Sequence, residues 1–446
     1  MQRNNSRKAG LIMACFLVAS TGLFAQTTNS FSVKQAVDYA MQHAVQVRNA
    51  LVDIKIQKQT NREVTSAAFP QINGSFTLND YLDIPTSLIP AEFTGGAPGT
   101  YIPLQFGTKY NATGGIDISQ LLFDGQVFVG LQARNAVLKF AEKQSEVTKE
   151  QIKVNVYKIY YQLVVGQKQL SAIDANIERF EKLLNDTKEI YKNGFAEKLD
   201  VDKVSVQLNN LKTEKTKIEN QLQAGNAGLK FLLNMPQKET LALTDSLTED
   251  ELKAHVLTDS VRYEDRQEFQ LLQLGKKLGE YNIRRYKLSY LPTVAAFGSY
   301  NKNAQRGKFD FFNDGSWFTT SLIGLKVTVP IFDGFAKKSR LTKARYELEK
   351  TNNNIEQLKA AIDNELVQAN INITSALVTV DNQKQNMKLA EQVYNTTKLK
   401  YEQGLGSNQE IYTAQTELKV AQSNYYGALY DAIIAKIDFL KATGKL

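Results

Sequence analysis

The sequence predicts an internally duplicated α+β membrane protein, with four short β-strands and two very long helices, each followed by a return helix. Two observations carry that expectation. Apolar residues recur at seven-residue spacing in two distant stretches, and four runs of about ten residues alternate between apolar and polar side chains.

The first heptad series lies between Gln126 and Asn193, a stretch without proline. Val156, Leu163, Leu170, Ile177, Leu184 and Tyr191 recur every seventh residue, with Ile159, Gly166, Ile173 and Phe180 between them. That spacing makes a coiled-coil seam. The series returns 210 positions later as Leu366, Ile373, Val380, Met387, Tyr394 and Tyr401, interleaved by Ala369, Ala376, Gln383 and Ala390. Identities follow the same offset: Glu181, Asn185, Thr187, Lys188, Tyr191 and Gly194 recur as Glu391, Asn395, Thr397, Lys398, Tyr401 and Gly404. About 68 helical residues span roughly 100 Å, a length suited to struts or conduits.

Taken in order, the chain reads as a signal segment over 1–25, a first repeat over 26–235, a polar connector over 236–258 and a second repeat over 259–446. Arg3, Arg7 and Lys8, an apolar run from Leu11 to Leu17 and small residues up to Ala25 have the layout of a cleavable secretory signal. Cys15 is lost with that segment, unless it serves as a lipid-attachment site. A helix is expected from Phe31 to Ala68, ended by Phe69-Pro70. Ile72, Phe76 and Leu78 then alternate with polar neighbours, as do Tyr110, Ala112, Ile116 and Ile118. Between these strands, residues 83–108 hold four of the chain's eight prolines and read as a long external loop. The second repeat offers a helix from Asp259 to Tyr290, a strand from Val294 to Tyr300, and a strand carrying Ile323, Leu325, Val327 and Val329.

Each long helix is entered through a Phe-Asp-Gly corner, at Phe123 and at Phe332, and each ends at a glycine, Gly194 or Gly404. Return helices are expected over Glu197–Asn234 and Ser407–Ala442, the latter with Ala414, Ala421, Ala428 and Ala435 at heptad spacing. Strands of this length with one apolar and one polar face suit a membrane, yet four of them cannot close a barrel. Closure therefore demands oligomerisation: eight strands from a dimer, or twelve from a trimer.

Removing the three basic residues of the signal lowers the formal charge from +8 to +5, with both signs mixed along the helices, which gives no sign of nucleic-acid binding. His43 and His255, the two histidines, lack the spacing of a metal pair. No G-x-S-x-G, H-E-x-x-H or phosphate-binding glycine loop is present, so no catalytic, cofactor or metal residues are assigned and no enzyme is expected.

Over essentially all of the mature chain, these features resemble the outer-membrane efflux protein family, the TolC-like channels. The resemblance rests on the duplicated halves, the Phe-Pro or Leu-Pro entry to the first strand of each, the Phe-Asp-Gly corners, and a Tyr-x-x-Gly turn with an acidic residue six positions after the glycine. That turn is Tyr191, Gly194 and Asp200 in one half and Tyr401, Gly404 and Glu410 in the other. The resemblance implies a homotrimer in the cell outer membrane: a twelve-stranded barrel continued by a helical coiled-coil barrel in the periplasm. It also implies a periplasmic adaptor and an inner-membrane transporter as partners in drug efflux or type I secretion. By the same resemblance, Asp200 and Glu410 would form an acidic periplasmic gate, and Tyr191, Gly194, Tyr401 and Gly404 the hairpin tip that meets the adaptor. Gly406 stands where the family commonly has an arginine tether and Thr413 where it has a second aspartate, so a different bonding pattern is expected at the gate. Ile116, Ile118, Val327 and Val329 are expected to face lipid, with Asp117, Lys326 and Thr328 on the opposite side. A periplasmic coiled-coil scaffold without a pore is the competing reading, and it leaves the alternating strands unexplained.

Overall fold

The computed structural model describes residues 28–245, 252, 261–313 and 315–446. The expected signal segment, Cys15 and most of the polar connector lie outside the described residues. The chain folds as two compact units, each drawing on both sequence repeats.

One unit, within residues Ala50–Glu146 and Gln267–Ala360, holds the main sheet. Its strands are β2 (Gln71–Asp80), β5 (Tyr110–Phe123), β7 (Thr293–Arg306) and β8 (Phe318–Thr328), in the order β2-β5-β7-β8 and antiparallel throughout. The third expected strand is longer than the sequence reading, because β7 continues to Arg306 opposite Tyr110 of β5. Val329 falls one residue beyond the end of β8, so it is not a strand residue; it stands next to Pro330, which has no N–H to extend a ladder. The stretch expected as a loop contains a hairpin of its own, β3 (Thr86–Pro90) paired with β4 (Tyr101–Gln105). Pro90 and Pro103 are tolerated there because both strands of a two-stranded ribbon are edges.

The other unit, within residues Met1–Asn49, Val147–Arg266 and Ala361–Leu446, is helical with one small parallel sheet. That sheet pairs β1 (Thr28–Phe31) with β6 (Thr240–Leu243) and was missed in the sequence because each strand has four residues. The expected opening helix is two helices, α1 (Val33–His43) and α2 (Val45–Ser66), separated at Ala44, whose ψ of 130° is extended. The break costs little, since Ala36, Val37 and Ala40 before it, Ala44 itself and Val47 after it are all buried in one cluster. Ser32 opens α1 with a capping box, exchanging hydrogen bonds with Gln35.

The long helices are α3 (Gly125–Lys192) and α6 (Ala336–Glu402), and their return helices are α4 (Lys198–Leu233) and α7 (Asn408–Ala442). A further helix, α5 (Gln267–Leu288), begins eight residues later than expected, after a short 3₁₀ turn at Tyr263–Asp265 in which Arg262 and Asp265 cap each other. The heptad seams are packed: Val156, Leu163, Ile173 and Phe180 of α3 and Ile373, Val380 and Tyr394 of α6 are buried. Phe180 joins Leu183, Val204, Leu208, Leu211, Tyr394, Ile411, Ala414 and Leu418 in a cluster shared by α3, α4, α6 and α7.

Tyr160 ties α3 to the small sheet. Its buried hydroxyl donates to the Phe31 carbonyl at 2.8 Å and accepts the Asp245 amide at 3.3 Å. Tyr160→Phe leaves both groups without that partner, and is expected to cost about 1–3 kcal/mol in thermal denaturation in detergent. Burial also raises the pKa of this hydroxyl. The neutral form is therefore favoured by folding, and its contribution is complete below about pH 10 and lost as pH rises through the higher folded value. Tyr160→Phe should remove that alkaline loss; an identical pH profile in both proteins would refute the role.

Candidate functional site

The two hairpin turns are built alike. At the end of α3 the Gly194 amide donates to the Tyr191 carbonyl at 2.9 Å and the Phe195 amide to Ile190 at 3.0 Å; at the end of α6 the Gly404 amide donates to Tyr401 at 3.0 Å and Leu405 to Lys400 at 2.9 Å. Gly194 and Gly404 have φ of 81° and 73°, the left-handed conformation that this paired cap requires. A Cβ at either glycine would meet nothing within 4 Å. Phe195 and Leu405, in matching positions one residue later, are 87% and 77% exposed, an apolar pair at the tips that the sequence reading passed over.

Asp200 and Glu410 occupy the third position of α4 and α7. The Asp200 carboxylate accepts the Glu197 amide at 3.3 Å and lies 4.0 Å from Lys203 Nζ, so it is engaged in its own capping box. Glu410 is exposed; its backbone amide donates to the Ser407 hydroxyl, and its carboxylate has no hydrogen bond or ion pair among the described residues. No interaction within one chain joins the two carboxylates among the described residues.

The matching tyrosines differ. Tyr191 is 44% exposed, whereas Tyr401 is partly buried, its hydroxyl pKa raised by that burial, and it donates to Asn408 Oδ1 at 3.2 Å. The same oxygen lies 3.0 Å from the hydroxyl of Thr187, which is fully buried. Thr187, Tyr401 and Asn408 thereby connect α3, the end of α6 and the start of α7. The sequence marked Thr187 only as a repeat identity, and nothing in its spacing reported its burial. Beside this junction a cavity of about 430 Å³ is lined by Arg179, Lys182, Tyr394, Lys398, Glu402 and Gln415, among others. Arg179 stacks over the Tyr394 ring at 5.4 Å, and Lys182 pairs with Glu402 at 3.6 Å.

In the main sheet the register decides which residues share a face, because directly opposed residues of an antiparallel pair point the same way. Ile118 opposes Ile72 on one side and Gly298 on the other, and Gly298 opposes Ile323. Phe76, Leu78, Ile116, Ala296, Leu325 and Val327 fall on that same face. Asp117 lines up with Asn73 and Ser299, and Ser75 with Gly115, Asn301 and Thr320, on the other face, which also carries Lys326 and Thr328. The expected pairing of Ile116, Ile118 and Val327 against Asp117, Lys326 and Thr328 is thus present in the register. Gly115 leaves room for Asn301; a Cβ there would collide with its side chain and with the Tyr300 carbonyl.

Comparison with known proteins places this architecture. Residues 264–445 match the family model described as outer membrane efflux protein. That match covers the second sequence repeat of the chain. The chain is 21% identical over 338 residues to the outer membrane protein TolC of Vibrio cholerae, covering 74% of this chain and 76% of that one. It is also 21% identical over 450 residues to the outer membrane efflux protein BepC of Brucella suis, covering 98% and 90%. Among solved structures, the CmeC outer membrane channel of Campylobacter jejuni matches with a TM-score of 0.73 at 16% identity, covering 95% of this chain and 90% of that one. CusC, described in terms of folding and transmembrane channel formation, matches at 0.74 and 16%, covering 92% of each. The chain has the fold of these outer-membrane channels.

Proposed function

We propose that this protein is an outer-membrane efflux channel with its helices in the periplasm, three copies of which form a passive exit duct fed by an inner-membrane transporter through a periplasmic adaptor. The observation that carries the trimer is the open sheet. Its edge strands β2 and β8 each lack a second neighbour among the described residues, and one face carries apolar residues on all four strands, Ile72, Ile118, Ala296 and Val327 among them. Unpaired edges are not stable in hydrocarbon, so the sheet needs further strands, and three copies supply twelve. On this reading Ile116, Ile118 and Val327 face lipid, and Asp117 and Lys326 face the lumen. The apolar Phe195 and Leu405 beside the Gly194 and Gly404 turns offer an adaptor hairpin a contact surface, flanked by Tyr191 and Tyr401. Export of small molecules and type I secretion of proteins both fit a duct driven by such partners.

The mass of the protein in gentle detergent, measured with single-channel conductance in planar bilayers, tests the duct. A trimer with conductance is expected; a monomer, a dimer, or a trimer without conductance would overturn it.

Asp200 and Glu410 are proposed to ring the periplasmic constriction of that trimer, six carboxylates that attract cations and hold a divalent ion. Because Asp200 is engaged in its helix cap and the Glu410 carboxylate has no partner among the described residues, Glu410→Gln should carry most of the effect. Asp200→Asn with Glu410→Gln is expected to lower cation selectivity and weaken divalent-ion block with the barrel intact. Unchanged selectivity and block would mean that both residues serve only their helix ends.

A further inference from the structure

One edge of the main sheet is much more basic than its duplicated counterpart. The segments that enter and leave strands β7 and β8 at that edge are the last turns of α5 and the first turns of α6; Thr293 and Thr328 oppose each other there. Arg284, Arg285 and Lys287 close α5, and Lys337, Lys338, Arg340, Lys343 and Arg345 open α6, with no acidic residue from Phe335 to Arg345. In the first repeat the matching residues after the Phe-Asp-Gly corner, 126–136, hold a single cation, Arg134. The duplication therefore shows that the fold forms without the charge that opens α6, while the end of α2, the counterpart of the end of α5, keeps Arg62.

Helix physics accounts for the cations that close α5, which suit the C-terminal end of the dipole, but not for those that open α6. Cations in the first turns of a helix oppose its dipole, and α6 has no acidic residue in its first turn. Lys337 pairs with Asp333 at 3.8 Å and Lys343 with Glu347 at 3.8 Å. Lys338, Arg340 and Arg345 are exposed and have no ion pair among the described residues, and the same holds for Arg284 and Lys287. The inward side of this helix pair is apolar: Ala344 is buried, and Gly279 of α5 sits against Leu348.

The surroundings are those of a membrane boundary. Ile331, Phe332 and Phe335 are exposed immediately before the basic turns, continuous along the chain with Ile323, Leu325 and Val327 on the apolar face of β8. Tyr290 and Leu291 are exposed just after those of α5, and the Arg285 guanidinium stacks on Tyr286 at 4.9 Å. Exposed aromatic side chains next to a run of cations, at the end of an apolar sheet face, match the layering of acyl chain, interface and anionic headgroup.

We propose that this edge binds the phosphate headgroups of anionic phospholipids, anchoring the channel in the leaflet on the helix side of the membrane. Lys338, Arg340 and Arg345 of α6 and Arg284 of α5 are the residues that hold the headgroups. The inference rests on the lipid-facing assignment of Ile118 and Val327 and adds a lipid class to it.

The test uses the full-length protein reconstituted in vesicles of phosphatidylcholine, alone or with phosphatidylglycerol, and measures the phosphatidylglycerol retained through purification against phosphatidylcholine. The wild type is expected to enrich phosphatidylglycerol, and the enrichment should fall at high salt, where exposed charges are screened. A variant carrying R284Q, K338Q, R340Q and R345Q should lose it by about tenfold or more. The charge-retaining variant R284K, K338R, R340K and R345K should keep it. Equal enrichment in the glutamine variant, no enrichment in the wild type, or displacement of the lipid by inorganic phosphate alone would overturn the proposal. Insertion and conductance of the glutamine variant in pure phosphatidylcholine separate this outcome from failure of the barrel itself. If that variant does not insert, the salt dependence and phosphate competition of the wild type decide the question.

Discussion

Arginine at Ile118 or Val327 is expected to reduce assembled, heat-modifiable oligomer sharply, at a cost of about 2–4 kcal/mol per substitution for a cation held at the membrane midplane. The two positions test one assertion from two strands. Ile118 lies in β5, in the interior of the sheet, and Val327 in the edge strand β8, and the register puts both on the same face. Two controls sharpen the result. Arginine at Ser119, a neighbour of Ile118 on the opposite face, should be tolerated, because the polar face meets water in a closed barrel. Arginine at Val329, beyond the end of β8 and beside the basic turns, should cost far less than at Val327. Normal assembly of both Ile118→Arg and Val327→Arg, or failure of Ser119→Arg alone, would mean that the faces are reversed.

The second large effect is expected at the hairpin tips. Gly194→Trp and Gly404→Trp should each abolish export while leaving the oligomer and its insertion intact. The left-handed φ of both glycines penalises any side chain by about 1–2 kcal/mol, so Gly194→Ala and Gly404→Ala serve as the strain controls. Space around each glycine is open, so an indole is not rejected by the chain itself. It would instead stand in the way of a partner at the surface where Phe195 and Leu405 are exposed. Export unaffected in the tryptophan variants would exclude the tips as the adaptor contact, and export lost equally in the alanine variants would assign the defect to backbone strain.

The parts of this molecule that were legible in the sequence are those governed by a repeating period. The seam residues of α3 and α6 announced themselves through a seven-residue spacing, and the strands through alternation, so the ends of α3 were placed to within a residue. Gly194 and Gly404 were legible because a helix stop of that kind needs a left-handed residue. Short or unperiodic features were not. The four-residue strands β1 and β6 contain too few positions to show alternation, and the hairpin of Pro90 and Pro103 was hidden by prolines that an edge ribbon accepts. The interruption at Ala44 falls inside an apolar pattern that continues across it. At the tips, Asp200 and Glu410 looked equivalent by position, and only tertiary geometry separates the capped carboxylate from the free one. The junction of Thr187, Tyr401 and Asn408 spans 221 residues of chain, a distance over which local pattern carries no information.

The open outer edges of strands β2 and β8 have a genetic consequence. A chain whose sheet ends in two open ladders cannot enter the bilayer alone at a tolerable cost, so membrane entry and association are a single event. In the proposed trimer, each ring then contains copies drawn at random from those available. A variant that spoils one edge yet still offers the other will be incorporated and will leave the ring unsealed. In a cell making both forms in equal amount, only about one ring in eight escapes, since three independent draws must all be sound. Edge mutations should therefore be dominant, whereas a lesion that prevents folding altogether removes its copy from the draw and should be recessive.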